Sequence, residues 1–105
     1  MYENVANKDF SVSDFYCTQC GSRGVPVVRT SNKSREPGHL KKLYCPYCKI
    51  QTNMAEVRPF GKYDYEDFQI EFIHGNFDEN GLRKDPSWKH FIAEVINKEN
   101  QKHEK

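Results

Sequence analysis

No stretch of this 105-residue sequence approaches the roughly 18 consecutive apolar residues of a membrane span, so a bilayer-crossing helix is not expected. The opening residues, Met1-Tyr2-Glu3-Asn4-Val5-Ala6-Asn7, have neither a basic n-region nor an apolar h-region, which argues against a secretory signal peptide. Apolar material is scarce throughout. Only 36% of residues are hydrophobic, there is one Trp, and the mean hydropathy is −0.92. A chain this short and polar buries a small core and commonly needs a staple. The recognisable signatures of catalysis are missing as well. There is no Gly-rich phosphate loop, no nucleophile–base pair, no glycosidase-type carboxylate pair, and no His-x-Glu of the kind that zinc deaminases pair with Cys-x-x-Cys. Asp67 and Glu71 fall on one face if 68–72 is a strand, but no Glu-x-Lys follows to complete a nuclease arrangement. The expectation is a cytoplasmic protein that is not an enzyme, built as one domain.

Cysteine is confined to four positions, and these carry the strongest signal. Cys17-Thr18-Gln19-Cys20 and Cys45-Pro46-Tyr47-Cys48 are two Cys-x-x-Cys pairs separated by 24 residues. Two thiolates at this spacing chelate one ion when the backbone turns tightly between them, and two such pairs complete a tetrahedral set. A reducing compartment leaves thiols free for metal and disfavours disulfides. One structural Zn2+ is therefore expected on Cys17, Cys20, Cys45 and Cys48; a rubredoxin-like iron or redox-active thiols are the alternatives. Four protein ligands leave no open position for a reacting water. Without the metal, at least the first half of the chain is expected to be disordered.

Charge is unevenly spread although the net is +1. Ser22 to Lys49 holds seven Lys or Arg against Glu36 alone, whereas Ile50 to Lys105 holds eight basic residues against eleven acidic ones. Such a split suits a polyanion-facing module on a neutral or acidic base. The contact candidates are Arg23, Arg29, Lys33, Arg35, His39, Lys41, Lys42 and Tyr47: cations for phosphates, an aromatic for stacking. A solvated charged surface and an acidic protein partner are the competing readings. Lys41 and Lys42 are expected on opposite faces of a strand, so one contact cannot use both.

The pattern predicts a zinc ribbon in an α+β domain. Residues 1–14 read as a polar lead-in, 15–99 as the domain (ribbon 15–50, strand-plus-helix extension 51–99), and 100–105 as a fraying tail. Val25 to Thr30 is β-prone, with Pro26 limiting it to an edge or a strand start. Glu36-Pro37-Gly38-His39 fits a type II turn and Arg58-Pro59-Phe60-Gly61 a type I turn. Leu40 to Tyr44 returns as a strand, so that one basic hairpin links the two knuckles. Asn53 to Arg58 is a candidate third strand. Phe68-Gln69-Ile70-Glu71-Phe72 alternates as a half-buried strand does. His74-Gly75-Asn76 and Asp78-Glu79-Asn80-Gly81 signal turns. Asp85 and Pro86 read as N-cap and N1 of a terminal helix, whose apolar stripe is Trp88, Phe91, Ile92, Val95 and Ile96, with His90 at the core margin. Tyr63, Tyr65 and Asp67 form an acidic, tyrosine-bearing stretch suited to a protein interface.

The segment Cys17-Thr18-Gln19-Cys20-Gly21-Ser22-Arg23-Gly24-Val25-Pro26-Val27-Val28-Arg29, followed by Arg35-Glu36-Pro37-Gly38-His39-Leu40-Lys41-Lys42-Leu43-Tyr44-Cys45, resembles small zinc-ribbon proteins of phages and other mobile elements of Gram-positive bacteria. The resemblance runs from about Tyr16 to Asp85, roughly two thirds of the chain. It implies a zinc ribbon in a phage setting and transfers only Cys17, Cys20, Cys45 and Cys48 as functional residues. Two function classes follow. One is a nucleic-acid-associated ribbon acting in the host cytoplasm. The other is a phage protein that binds and redirects a host machine, such as RNA polymerase or a defence nuclease of the CRISPR-effector kind.

Overall fold

The computed structural model describes residues 11–29, 36–58 and 61–103. Among these residues, four antiparallel strands and two helices follow one another: β1 (Ser11–Cys17), β2 (Val27–Arg29), β3 (Leu40–Cys45), β4 (Ile50–Val57), α1 (Tyr65–Ile73) and α2 (Trp88–His103). The sheet order is β2-β1-β4-β3. β1 pairs with β2 through Val12 opposite Val28, β1 with β4 through Phe15 opposite Glu56, and β3 with β4 through Leu43 opposite Thr52. The fold is α+β, as expected, and the third strand is present with an earlier start.

Strand alternation divides the core in two. On one face Phe15, Cys17, Met54 and Cys45 are buried together, with Val27, Leu43 and Cys48 against them. On the other face Ala55 packs under Tyr63 and Phe68, with Tyr16, Leu40, Val57, Phe72, Phe77 and Trp88 around them. One face thus holds the cysteines and the other carries the helices.

Three expectations are corrected by these elements. The lead-in gives way to β1 at Ser11, because Ser13, Phe15 and Cys17 alternate into the core; residues 1–10 lie outside the described residues. The single basic hairpin does not form. β1 captures β2 and β4 captures β3, so β2 and β3 end on opposite edges of the sheet. The strand expected at 68–72 is helix α1. Its buried positions, Phe68 and Glu71 with half-buried Phe72, follow i, i+3, i+4 spacing. Asp64 and Asp67 form a reciprocal capping box that starts the helix.

α1 closes in a Schellman arrangement. Gly75 has φ of 83° and donates to the Phe72 carbonyl, while the Asn76 amide donates to the Glu71 carbonyl. The chain then turns at Asp78–Gly81 and returns antiparallel, with Phe77 opposite Arg83. α2 begins two residues later than expected: Ser87 Oγ accepts from the His90 amide, and Asp85 accepts from the Ser87 amide. Trp88, Phe91, Ile92 and Val95 face inward at least in part, whereas Ile96 is exposed. His90 is also exposed, paired with Asp85 and Glu94 away from the core. The helix continues to His103, past the expected fraying point. No helix among the described residues is long and apolar enough to cross a membrane.

Candidate metal centre

Each Cys-x-x-Cys pair occupies the turn after a core strand, and the two turns are built alike. The Gly21 amide donates to the Cys17 carbonyl at 2.8 Å, and the Lys49 amide donates to the Cys45 carbonyl at 2.7 Å. Both residues after the second cysteine have positive φ, 81° for Gly21 and 63° for Lys49. Inside each turn a backbone amide points at the first sulfur: Gln19 N to Cys17 Sγ and Cys48 N to Cys45 Sγ, each 3.4 Å. Because Cys17 lies opposite Met54, while Cys45 lies opposite Ile50 at the start of the same β4, the register brings both turns to one end of the sheet.

The four sulfurs lie within 4.8 Å of one another. Cys17 Sγ and Cys48 Sγ are 3.9 Å apart, and Cys20 Sγ and Cys45 Sγ 3.6 Å. A tetrahedron of thiolates at a metal–sulfur distance of about 2.3 Å has edges of about 3.8 Å, so these spacings leave room for one ion at the centre. They are far beyond the roughly 2.05 Å of a disulfide, and all four thiols are free. Cys17 and Cys45 are buried, Cys48 half-buried and Cys20 exposed. Thr52, also buried, places its hydroxyl 3.1 Å from Cys17 Sγ.

Protonation is uneven within the quartet. Burial acts against ionisation of Cys20, but hydrogen bonds from the Ser22 side chain and backbone bring its thiol down to about 7. Burial and hydrogen bonding to the other three thiols push Cys48 up to about 12. Four thiolates at this spacing require a cation among them, and such a cation would displace the remaining protons. The donor set therefore fits a metal ion held entirely by protein sulfur.

The remaining candidates are dispersed. Arg23 is exposed and bridges to Tyr16 beside the first turn, and Arg29 ends β2 on the far edge of the sheet. Lys33 and Arg35 lie outside the described residues. His39 is half-buried after the Glu36–His39 turn, which closes by a 3.1 Å hydrogen bond with φ of 73° at Gly38, as a type II turn requires. The Arg58–Gly61 turn closes by its own 3.1 Å hydrogen bond, although Pro59 and Phe60 lie outside the described residues. Lys41 and Lys42 are exposed on β3, and Tyr47 is 69% exposed at the tip of the second turn. Tyr63 is buried, so it is not part of a surface. Tyr65 is exposed and rests on Tyr16 at 4.7 Å, and Asp67 is spent on the α1 cap. Glu71 does not share a polar face with Asp67. It is fully buried against Arg83.

Several residues that matter to the site had no motif to mark them. The Thr18 hydroxyl shares its one proton between the carbonyls of Asn53 and Gly81, at 2.9 and 2.8 Å. Asn53 Nδ2 donates to the Asn80 carbonyl at 2.9 Å. The 78–82 turn is thereby fastened to the first cysteine turn and to β4. Comparison with protein-family models, with curated proteins and with solved structures returned no match. The reading of the site accordingly rests on its own residues.

Proposed function

We propose that this chain is a non-enzymatic zinc ribbon, of phage origin, that binds nucleic acid or a nucleic-acid-processing complex. One Zn2+ on Cys17, Cys20, Cys45 and Cys48 has a structural role: it holds the two turns together and leaves no coordination position for chemistry. The observation that carries the binding role is a set of exposed cations on β3 and the second turn. Lys42 shares its face of β3 with Tyr44, Lys41 lies on the other face, and Lys49 follows Cys48; all three are exposed, and among the described residues no acidic side chain pairs with them. Exposed Tyr44 and Tyr47 stand among them. Unpaired cations beside aromatics suit a phosphate backbone with adjacent bases. The split of the basic segment moves the working surface to β3 and the second turn, and takes Arg23 and Arg29 to the opposite edge.

The test is retention of the tagged, metal-loaded chain's partners from bacterial lysate with and without nuclease. Nucleic acid recovered without a stoichiometric protein, with binding that weakens steeply as salt rises, supports this reading. A stoichiometric protein kept after nuclease treatment supports the other one, a modulator of a host machine.

A further inference from the structure

The helix-bearing face of the sheet is only partly covered. At the end near Leu40 and Ala55 it lies beneath Tyr63 and Phe68. Toward the metal end the same alternation continues through Lys42 and Tyr44 on β3 and Gln51 and Asn53 on β4. The register sets Lys42 opposite Asn53 and Tyr44 opposite Gln51, so all four project from one face. Core residues occupy this face at one end; a cation, an aromatic and two amides occupy it at the other. Tyr44 is 57% exposed.

A cleft of about 620 Å³ opens beside these residues, between the sheet and the 78–82 turn. That volume lies within the roughly 300–1,000 Å³ of ligand clefts. Lys42, Gln51, Thr52 and Asn53 of the sheet line it together with Asn80 and Leu82 of the turn and Gln19 of the first cysteine turn. Leu82 is 47% exposed and gives an otherwise amide-rich cleft an apolar wall.

We infer that this cleft and the adjoining Tyr44 ring bind single-stranded nucleic acid, with a base on Tyr44 and the next base directed at the amides of the cleft. The inference rests on the nucleic-acid reading above and adds to it the strandedness of the ligand and the residues that select it. Tyr44 supplies a face on which any unpaired base can stack. Gln51 and Asn80 side chains offer both donors and acceptors to exposed base edges, which a duplex keeps paired. Lys42, at the rim, meets a phosphate. Leu82 is the one apolar side chain among the described residues lining the cleft, so lysine and amide groups dominate what a ligand meets there.

The experiment is fluorescence anisotropy of the metal-loaded full chain with labelled oligo-dT, oligo-U and a duplex of equal length, compared at one salt concentration and repeated at a higher one. The single strands should bind at least about tenfold tighter than the duplex. Tyr44→Ala should weaken them by about tenfold or more and Tyr44→Phe should restore them. The dT and U arms separate DNA from RNA. Metal content and circular dichroism confirm that the variants are folded. As a check independent of any variant, the Gln51 and Asn53 side-chain amide resonances of the unaltered protein should shift when oligonucleotide is added. Equal affinity for duplex, an unchanged Tyr44→Ala, or unmoved amide resonances overturns this inference while salt-dependent binding would still uphold the broader reading. Absence of binding to every nucleic acid overturns both.

Discussion

Arg83 grips Glu71 with two nearly parallel hydrogen bonds, Nε to Oε2 at 2.7 Å and Nη2 to Oε1 at 2.9 Å, beneath the protein surface. The Tyr63 hydroxyl donates to Oε1 at 2.6 Å and Asn76 Nδ2 donates to Oε2 at 2.7 Å, so both carboxylate oxygens are satisfied. Arg83 also donates from Nη1 to the Gly38 carbonyl at 2.7 Å. One ion pair thereby joins α1, the 76–85 segment and the turn that leads into β3. Burial would lower the Arg83 pKa, but hydrogen bonds and charge from Glu71 outweigh it and raise it. Burial, reinforced by the Glu71 charge, raises the Tyr63 phenol.

Breaking that pair on one side should be costly. Glu71→Ala leaves a buried guanidinium uncompensated, and the expected loss is about 3–5 kcal/mol. Replacing both partners by apolar residues, Glu71→Leu with Arg83→Met, should recover a large part of it. Urea unfolding of the metal-loaded variants measures both. A Glu71→Ala protein within 1 kcal/mol of the unaltered one, on the order of a surface substitution, would mean that the pair is not holding these three segments together.

Gly38 tests the same junction from the other side. Its φ is 73°, and a Cβ there would come within 2.8 Å of Arg83 Nη2 and 3.0 Å of the Tyr63 ring. Gly38→Ala should lose about 1–3 kcal/mol through backbone strain, and more if the guanidinium must move. Gly75 makes the internal control. It also has positive φ, but nothing lies within 4 Å of an added Cβ. Gly75→Ala should therefore cost only the backbone term. Unfolding midpoints of the two variants should differ, with Gly38→Ala lower.

The contrast between Phe68–Phe72 and Cys17–Cys48 explains what was legible in the residues. The cysteine turns were readable because metal chelation demands local spacing, and the structure brings all four sulfurs together. The Pro37-Gly38 and Gly75 turns were readable for the same local reason. Phe68-Gln69-Ile70-Glu71-Phe72 fits period 2 and period 3.6 equally well over five residues; the arbiter is Asp64, whose cap pairs with Asp67 just upstream. Glu71 looked like a solvent-facing acid because its partner Arg83 is twelve residues away and reaches it only after the Schellman turn. The sheet order was not legible either. The 24-residue spacing between the pairs suggests one hairpin, whereas β1 and β4 at the centre of the sheet send the intervening strands to opposite edges.

The α2 start carries a pH-sensitive pair. The Asp85 carboxyl is held below its ordinary range, chiefly by its hydrogen bond to His90, and His90 is held above its own, chiefly by Asp85 with Glu94 adding. A depressed carboxylate stabilises the fold above its unfolded pKa and loses that contribution as pH falls through the folded value. A raised imidazole stabilises below its unfolded pKa and loses that contribution as pH rises through the folded value. The pair should thus act fully between about pH 3.9 and about pH 6.5, and fade on either side. An NMR titration should show His90 shifted upward in the unaltered protein and falling back toward its ordinary value in Asp85→Asn. An unshifted His90 would remove the pair from the account of the helix start.

Thr52 bears on the metal centre without being a ligand. Its buried hydroxyl, 3.1 Å from Cys17 Sγ, can donate to a thiolate there, which would orient the sulfur and lessen its remaining charge. Thr52→Val keeps the shape and β-branching of the side chain but removes the donor. The expected result is a metal affinity lower by about 10–100-fold, with Thr52→Ser close to the unaltered protein. Competition against a chromophoric chelator measures the affinity, and cobalt(II) substitution reports whether the sulfur tetrahedron persists in each variant. Tetrahedral cobalt spectra retained in Thr52→Val, with weakened binding, would place the effect on the hydrogen bond. Equal affinity for valine and threonine would mean that the Thr52 proton points elsewhere and that the quartet is held by the two turns alone.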